Sequence, residues 1–488
     1  MTLETTLARQ KAAFVDAPPS DGKTREAKLK SLKRQIGRYQ DVFADAVSED
    51  FGNRPAFESR LVEVIGTIWV IDHAIKNARK WMRPNGRAPQ LLFAGPNKLK
   101  VTYQPKGVVG IITPWNMPLY LSLGPLAASL AAGNRAMIKL PDETPKANAV
   151  IKTLLAEIFD EDEVAVFSSE IKDPATFTRL PFDHLIFTGS QRVGRIVMAA
   201  AAENLTPVTL ELGGKSPAIV APDYSLKDAA RRIVHGKVAL SGQICVAPDY
   251  AMLEAGNADA FAMAAVEAYN TFYPLGAVGR PEVCGLIDDR QKARLTALLE
   301  DARAKGAKIS PAAEWDGGNQ MPLHVVSGIT EAMDIAQEEV FGPILPVLEY
   351  TSLEEAINYI NARPHPLALY AFTGSAKTKT QILGQTRSGG ATINDWGWHV
   401  VNAAVPFGGV GDSGFGTYHG IEGFRELSNL RPVFERHPTF PTQLFHPPVN
   451  KGFSGLFQNI SMRFYAGKGD PSLGGTPYGP TSKEKLRT

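Results

Sequence analysis

Between residues 25 and 50, Leu29, Leu32, Ile36, Tyr39 and Phe43 recur at helical spacing among lysines and arginines. That pattern predicts an amphipathic helix on a surface. A second such helix is expected from about Phe57 to Trp81, and Asp50-Phe-Gly52 between them reads as a helix-to-helix turn. No His-Arg-Asp loop or Gly-rich phosphate loop accompanies that tripeptide, so a kinase reading fails. From Val108 the period changes: the apolar run Val108-Val-Gly-Ile-Ile-Thr113 predicts a buried strand. Strand and helix signals then alternate through Lys139, Val164-Ala-Val-Phe167, Leu185-Ile-Phe-Thr188 and Val208-Thr-Leu210. Alternation of this kind predicts an α/β fold with a parallel sheet covered by helices. Ligands of such sheets bind at the carboxyl ends of the strands, which directs Thr113 to Asn116, Lys139, Gly189-Ser190 and Glu211 toward one crevice. A second alternating segment, from Ala218 to about Leu427, is expected to form the opposite wall.

Composition narrows the class. At 488 residues the chain exceeds the roughly 250–300 residues at which one core stops growing, so two or three domains are expected. A net charge of +2, from 52 basic and 50 acidic residues, gives no field that would gather nucleic acid. Only Cys245 and Cys284 are present, too few for a disulfide framework, which points to a reducing, cytoplasmic setting. The N-terminal residues lack a basic segment followed by an apolar core, so no secretory signal is read there. The longest apolar stretch, Leu119 to Ala132, contains Ser122, Gly124, Pro125 and Ser129 and falls short of the roughly 20 residues a spanning helix needs.

The chemistry concentrates in two runs. Cys245 lies in Ser241-Gly-Gln-Ile-Cys-Val-Ala-Pro-Asp-Tyr250, 34 residues after Glu211 in Leu210-Glu-Leu-Gly-Gly-Lys-Ser-Pro217. A thiolate can attack a carbonyl carbon, and a carboxylate can then activate water against the resulting thioester. With Pro114-Trp-Asn-Met-Pro118, Ala132-Gly-Asn-Arg135 before Lys139, Phe187-Thr-Gly-Ser190, Glu338-Glu-Val-Phe-Gly-Pro343 and Pro406-Phe-Gly-Gly409, this order of motifs resembles the aldehyde dehydrogenase family over nearly the whole chain. Gly242 to Tyr250 and Pro406 to Gly420 are similar to its class 3 branch. Asn394-Asp-Trp-Gly-Trp-His399 and Glu422-Gly-Phe424 are similar to the bacterial coniferyl-aldehyde dehydrogenases within that branch.

The resemblance implies an aldehyde dehydrogenase fold: a Rossmann-like NAD(P)-binding domain from 1–86 and 106–212, a catalytic domain from 213–427, an oligomerisation element from 87–105 and 428–436, and a tail from 437–488. Within the third piece it places a hairpin from about Leu91 to Gln104, joined by a strand near Arg431 to Glu435. Catalysis would fall to Cys245 as nucleophile, Glu211 as the base for water, and the Asn116 amide with the Cys245 backbone N–H as oxyanion hole. Thr113, Pro114, Trp115, Lys139, Asp142, Gly189, Ser190, Gly194, Leu212, Glu339 and Phe341 would bind the cofactor, and no metal is implied. The chain lacks a Gly-x-Gly-x-x-Gly fingerprint. In its place Phe187-Thr-Gly-Ser-Gln-Arg-Val-Gly194 would let a helix N-terminus approach the pyrophosphate. A second copy, Phe372-Thr-Gly-Ser375, lacks the following Val-Gly and reads as a strand end. Asp142 stands where relatives have glutamate, an acid that normally bonds the ribose 2′-hydroxyl, so NAD is expected with NADP use permitted.

The implied substrates are aromatic and medium-chain aldehydes, and the implied assembly is a homodimer. Trp396, Trp398, Met117 and Tyr120 are candidates for apolar pocket walls, against ordinary core packing. Cys284 matches no nucleophile motif and reads as structural. Three rival functions stay open: transfer of the acyl group to CoA, opposed by Glu211; a non-redox cysteine hydrolase, opposed by the lack of a Cys–His pair motif; and a non-enzymatic protein on the same fold, opposed by retention of all three chemical residues. In the tail, Phe453, Leu456, Phe457, Ile460 and Phe464 share a helical stripe near Arg463 and Lys468. It reads as docking on the protein's own surface, with membrane contact as the alternative.

Overall fold

The computed structural model describes residues 2–89, 96–171, 173–440, 442, 446–447, 452 and 455–460. Two compact units emerge, Met1–Arg83 with Thr102–Arg431, and Pro84–Val101 with Pro432–Thr488. The first holds two sheets and every residue with expected chemistry.

The first sheet has six strands in the order Gly414–Phe415, Val208–Leu212, His184–Gly189, Val108–Ile112, Arg135–Lys139 and Val164–Phe167. All neighbours are parallel except Gly414–Phe415, which runs antiparallel to Val208–Leu212 and pairs Gly414 with Glu211. The nearly continuous apolar runs of these strands follow from burial on both faces. The second sheet has seven strands in the order Lys308–Pro311, His324–Ser327, Ile344–Tyr350, Tyr250–Glu254, Pro217–Val220, Ala368–Phe372 and Gly390–Ile393. Only its Lys308–Pro311 edge is antiparallel. Residues 414–415 return to the edge of the first sheet, and the helix Gly420–Glu426 packs on the helices Tyr120–Ala132 and Gly66–Trp81. The segment 213–427 therefore does not stay with one sheet to its end.

The helices follow the apolar period. Asp21 caps Gly22–Asp50 by accepting from the Thr24 N–H at 2.7 Å, and Leu29, Leu32, Ile36, Phe43 and Val47 are buried along one face. That helix ends at Phe51, and Gly52 takes the left-handed φ of 68° that turns the chain. Residues 56–81 are helical throughout, but Ser59–Ile65 is a π-helical turn, a local widening often found at functional sites. Tyr120–Ala132 is buried on all sides, which accounts for its largely apolar composition.

In the second unit Asn85, Gly86 and Arg87 pair antiparallel with Val101, Lys100 and Leu99, and the three-stranded sheet runs Asn85–Arg87, Lys98–Pro105, Ser428–Glu435. The hairpin expected to begin near Leu91 thus has its first strand at Asn85–Arg87. That short polar strand needs only main-chain bonds, so no side-chain alternation marks it; Leu91 itself lies outside the described residues. Of the tail stripe, Leu456, Phe457 and Ile460 are exposed rather than docked, while Phe453, Arg463, Phe464 and Lys468 lie outside the described residues. Among the described residues no helix is long and apolar enough to cross a membrane.

Candidate active site

Cys245 sits at the end of a strained loop. After the helix Leu226–Val238, Leu240, Ser241 and Gly242 take left-handed φ values of 48°, 51° and 72° in succession. For the two non-glycine residues this costs on the order of 1–3 kcal/mol each, so the surroundings must enforce it. The Leu240 N–H donates to Glu58 at 3.3 Å, and the Ser241 hydroxyl donates to the Cys284 carbonyl. Gln243 uses its side chain fully: its amide nitrogen donates to the Leu240 and Gly285 carbonyls at 3.0 Å each, and its oxygen accepts from the Ile287 N–H at 3.1 Å. Cys284 is buried and contributes its main chain to this clasp.

Asn116 meets the loop from the first sheet. Its amide nitrogen donates to the Gln243 carbonyl at 3.0 Å, leaving the second amide N–H for another acceptor. Behind it lies a fully buried ion pair, Arg54 Nη2 to Glu63 Oε1 at 2.7 Å. Arg54 Nη1 donates to the Asn116 carbonyl at 2.9 Å, while Glu63 Oε2 accepts from the Leu119 and Tyr120 N–H groups at 2.7 and 3.3 Å. One ion pair therefore grips both ends of the turn that carries Asn116. The π-helical turn at 59–65 carries Glu63.

Glu211 lies one residue before the end of the strand Val208–Leu212 and is buried, with both carboxylate oxygens unpartnered among the described residues. Burial pushes its pKa well above the ordinary carboxylate range. The half-buried Cys245 thiol is pushed up to about 12, first by loss of solvent and then by the charges of Glu339 and Glu211, while the N–H groups of Cys245 and Val246 favour its anion. Glu339 is raised to about 8 by burial and by Asp249, opposed by a bond from the Gly214 N–H. Burial thus holds two carboxyls and a thiol toward their uncharged forms.

A cleft of about 730 Å³ joins these groups, lined by Pro114, Trp115, Asn116, Gly189, Ser190, Glu211, Cys245, Glu339 and Phe341 among others. The Trp115 and Phe341 rings meet edge to face at 5.4 Å, with Phe341 held at φ 48°. Ser190 caps the helix Gln191–Ala202, and any side chain at Gly194 would strike Leu212, so glycine lets this helix lie close on its strand. A helix N-terminus in a cleft suits a pyrophosphate, and the residues present fit a dinucleotide.

Of the residues read from sequence, Thr113, Lys139, Asp142, Gly194 and Leu212 do not line the cleft. Thr113 and Lys139 lie at neighbouring strand ends, joined by Thr113 N–H to Lys139 carbonyl at 3.0 Å, and Lys139 Nζ binds Asp142 at 2.8 Å. Gly194 and Leu212 pack on each other below the surface. Met117, Tyr120, Trp396 and Trp398 are absent from the lining too. Trp396 packs over Gly236 and donates to His235, Trp398 donates to Asp395, and the Tyr120 hydroxyl lies 3.3 Å from His419. At the second Phe-Thr-Gly-Ser copy, Ser375 also caps a helix, but the Asp223 carboxylate accepts from Thr373 and the Gly374 N–H and fills the position an anion would take. Sequence reading missed Arg54, Glu63, Gln191, Arg192, Arg294 and Arg363. Gln191 and Arg192 fell inside a quoted motif; the others have no local signal.

Two measurements test this geometry. Breaking a buried ion pair costs about 3–5 kcal/mol because one charge is stranded. Arg54→Met should therefore lower denaturant stability by that order, and Arg54→Met with Glu63→Met should recover part of the loss; equal stabilities for wild type and Arg54→Met would contradict the pairing. For Glu211 the folded pKa lies above the unfolded one, so ionising it opposes folding and its contribution worsens as pH rises. Glu211→Gln should melt at a higher temperature than wild type above neutral pH, with the gap closing as the pH falls toward the ordinary carboxylate range.

Comparison with known proteins agrees with the arrangement. Residues 2–433 match the Aldehyde dehydrogenase family. The chain is 44% identical over 461 residues to a probable coniferyl aldehyde dehydrogenase of Pseudomonas aeruginosa, covering 94% of this chain and 96% of the relative. It is 36% identical to aldehyde dehydrogenase family 3 member B1 of Homo sapiens, covering 89% and 91%. Among solved structures, the substrate-bound state of Staphylococcus aureus AldH superposes with a TM-score of 0.89 at 35% identity, covering 95% of this chain and all of that one. A Mycobacterium tuberculosis aldehyde dehydrogenase complexed with NAD+ gives 0.79 at 28% identity, covering 88% of each. The resemblance read from the motifs is borne out in family and fold: this chain belongs to the aldehyde dehydrogenase family.

Proposed function

We propose that this aldehyde dehydrogenase oxidises aromatic and medium-chain aldehydes, coniferyl aldehyde among them, to carboxylic acids through Cys245. The observation that carries the reading is the convergence of Cys245, Asn116 and an unpartnered, buried Glu211 on one cleft. The Cys245 thiol gives up its proton to solvent water, its sulfur adds to the aldehyde carbon, and the oxygen of the tetrahedral adduct takes the resulting negative charge against the free Asn116 amide N–H and the Cys245 N–H. The nicotinamide cofactor, when bound, supplies the hydride acceptor. Glu211 then takes a proton from water as that water attacks the thioester, which releases the acid and restores the thiol. Glu339, Phe341, Trp115, Gly189 and Ser190 hold the cofactor in this reading, with Thr113, Lys139, Asp142, Gly194 and Leu212 shaping the adenosine side.

NAD is the preferred cofactor, with NADP use permitted; the acid at Asp142, already paired with Lys139, supports this order because it would repel a 2′-phosphate. Residues 1–86 with 106–212 serve the cofactor and 213–427 the chemistry. Residues 87–105 with 428–436 join two copies in a cytoplasmic homodimer, the tail 437–488 lying outside both tasks. Its support is resemblance, and a monomer mass by light scattering would sink that part.

The activity test follows absorbance at 340 nm with coniferyl aldehyde, benzaldehyde and hexanal, each with NAD and NADP. Turnover should vanish in Cys245→Ala. Asn116→Ala should lower kcat by about 10²–10³-fold, as loss of an oxyanion donor does. Glu211→Gln should release one reduced cofactor per site and then stall at the thioester. Steady turnover by Glu211→Gln when CoA is added would favour acyl transfer, and silence of the wild type with every pair would overturn the substrate assignment.

A further inference from the structure

Asp249 lies four residues after Cys245 and is buried. Its Oδ1 accepts from the Val340 N–H at 2.8 Å, between Glu339 and Phe341. Its Oδ2 pairs with Lys215 Nζ at 2.5 Å, and its main-chain N–H donates to the Ser216 carbonyl at 2.8 Å. Lys215 also donates to the Ile335 and Glu338 carbonyls at 2.9 and 2.8 Å, so the same cation ties the chain just before Glu339. From the other side Arg294 donates to the Glu339 and Val340 carbonyls at 3.1 and 2.5 Å. The backbone from Glu338 to Val340 is thus held by one carboxylate and two cations. Phe341 follows at a left-handed φ of 48°, a conformation that phenylalanine holds only when its neighbours impose it.

We infer that Asp249 is a positioning residue for the cofactor: through the Val340 N–H it sets where Glu339 and Phe341 stand relative to the Cys245 sulfur. This inference rests on the proposed hold of Glu339 on the cofactor ribose. Asp249 belongs to the nucleophile's own loop and touches the cofactor segment directly, so one short covalent path and one hydrogen bond fix the separation of the two reacting partners. A misplacement of about 1 Å at a reacting centre can cost on the order of 10²-fold in rate.

The test compares steady-state constants for NAD and for hexanal in wild type, Asp249→Ala, Asp249→Asn and Glu339→Gln. A buried hydrogen bond to a charged group accounts for about 10- to 100-fold in an equilibrium constant, so Asp249→Ala should raise KM for NAD by that factor. KM for hexanal should stay within about twofold, a split that general loss of structure does not produce. Asp249→Asn keeps an acceptor for Val340 but loses the charge facing Lys215, and should fall between the two. A rise in both KM values together, or an unchanged KM for NAD in folded Asp249→Ala, overturns the inference. Where Asp249→Ala fails to fold, Asp249→Asn decides: an unchanged KM for NAD overturns it. An unchanged KM for NAD in Glu339→Gln would instead remove the ribose reading, whatever the Asp249 variants do.

Discussion

The ion pair between Arg54 and Glu63 is the constraint on which the catalytic side of the molecule hangs. Both side chains are withdrawn from water, and two charges so placed persist only if each is paired and further polar groups share the load. Arg54 finds the Asn116 carbonyl and Glu63 finds the N–H groups of Leu119 and Tyr120. The penalty of burying the pair is offset only when the 116–120 turn stands in one position. That position brings the Asn116 amide onto Gln243, and Gln243 in turn holds the left-handed run at 240–242 that aims Cys245. Packing alone would tolerate small shifts of an apolar turn; a buried charge does not.

The site concentrates groups that prefer to stay neutral. Glu211, Glu339 and Cys245 are all raised by burial, and the two carboxyls raise the thiol further. A cleft lined in this way gains most from a partner that brings positive charge or hydrogen-bond donors, because such a partner lowers the cost of every ionisation around it. The unpartnered oxygens of Glu211 fit the same logic: their lone pairs are not committed to the described protein groups and stay available to a ligand in the cleft. The strain at Leu240, Ser241 and Phe341 lies in the two segments that bring Cys245 and Glu339 to the lining of this cleft, where a rigid scaffold can enforce it.

Much of the fold was legible from periodicity. The helices at 22–50 and 56–81, the strands at 108–112, 164–167, 184–189 and 208–212, and the parallel arrangement all follow from where apolar residues recur. What periodicity could not show was a strand held by main-chain bonds alone, as at Asn85–Arg87, or the return of 414–415 to a sheet left some 200 residues earlier. Nor could it separate two copies of Phe-Thr-Gly-Ser by their surroundings. One opens on the cleft, while the other is closed by Asp223, a residue 150 positions away. The aromatic residues around 396–398 carry no mark in the sequence of being turned onto His235, Gly236 and Asp395 rather than into the cleft.

The sequence by itself determined the family, because Cys245, Asn116 and Glu211 each sit in a local run whose residue types and order are needed together. Tertiary structure alone decided what holds them in place. Arg54 reaches Asn116, Arg294 reaches Val340 and Asp249 reaches Val340 across 62, 46 and 91 positions of chain. A charged residue reads in sequence as a solvated surface group, since most such residues are. Only the folded chain shows which of them lost their water, and it is that loss, repaid by particular backbone partners, that fixes the geometry of the site.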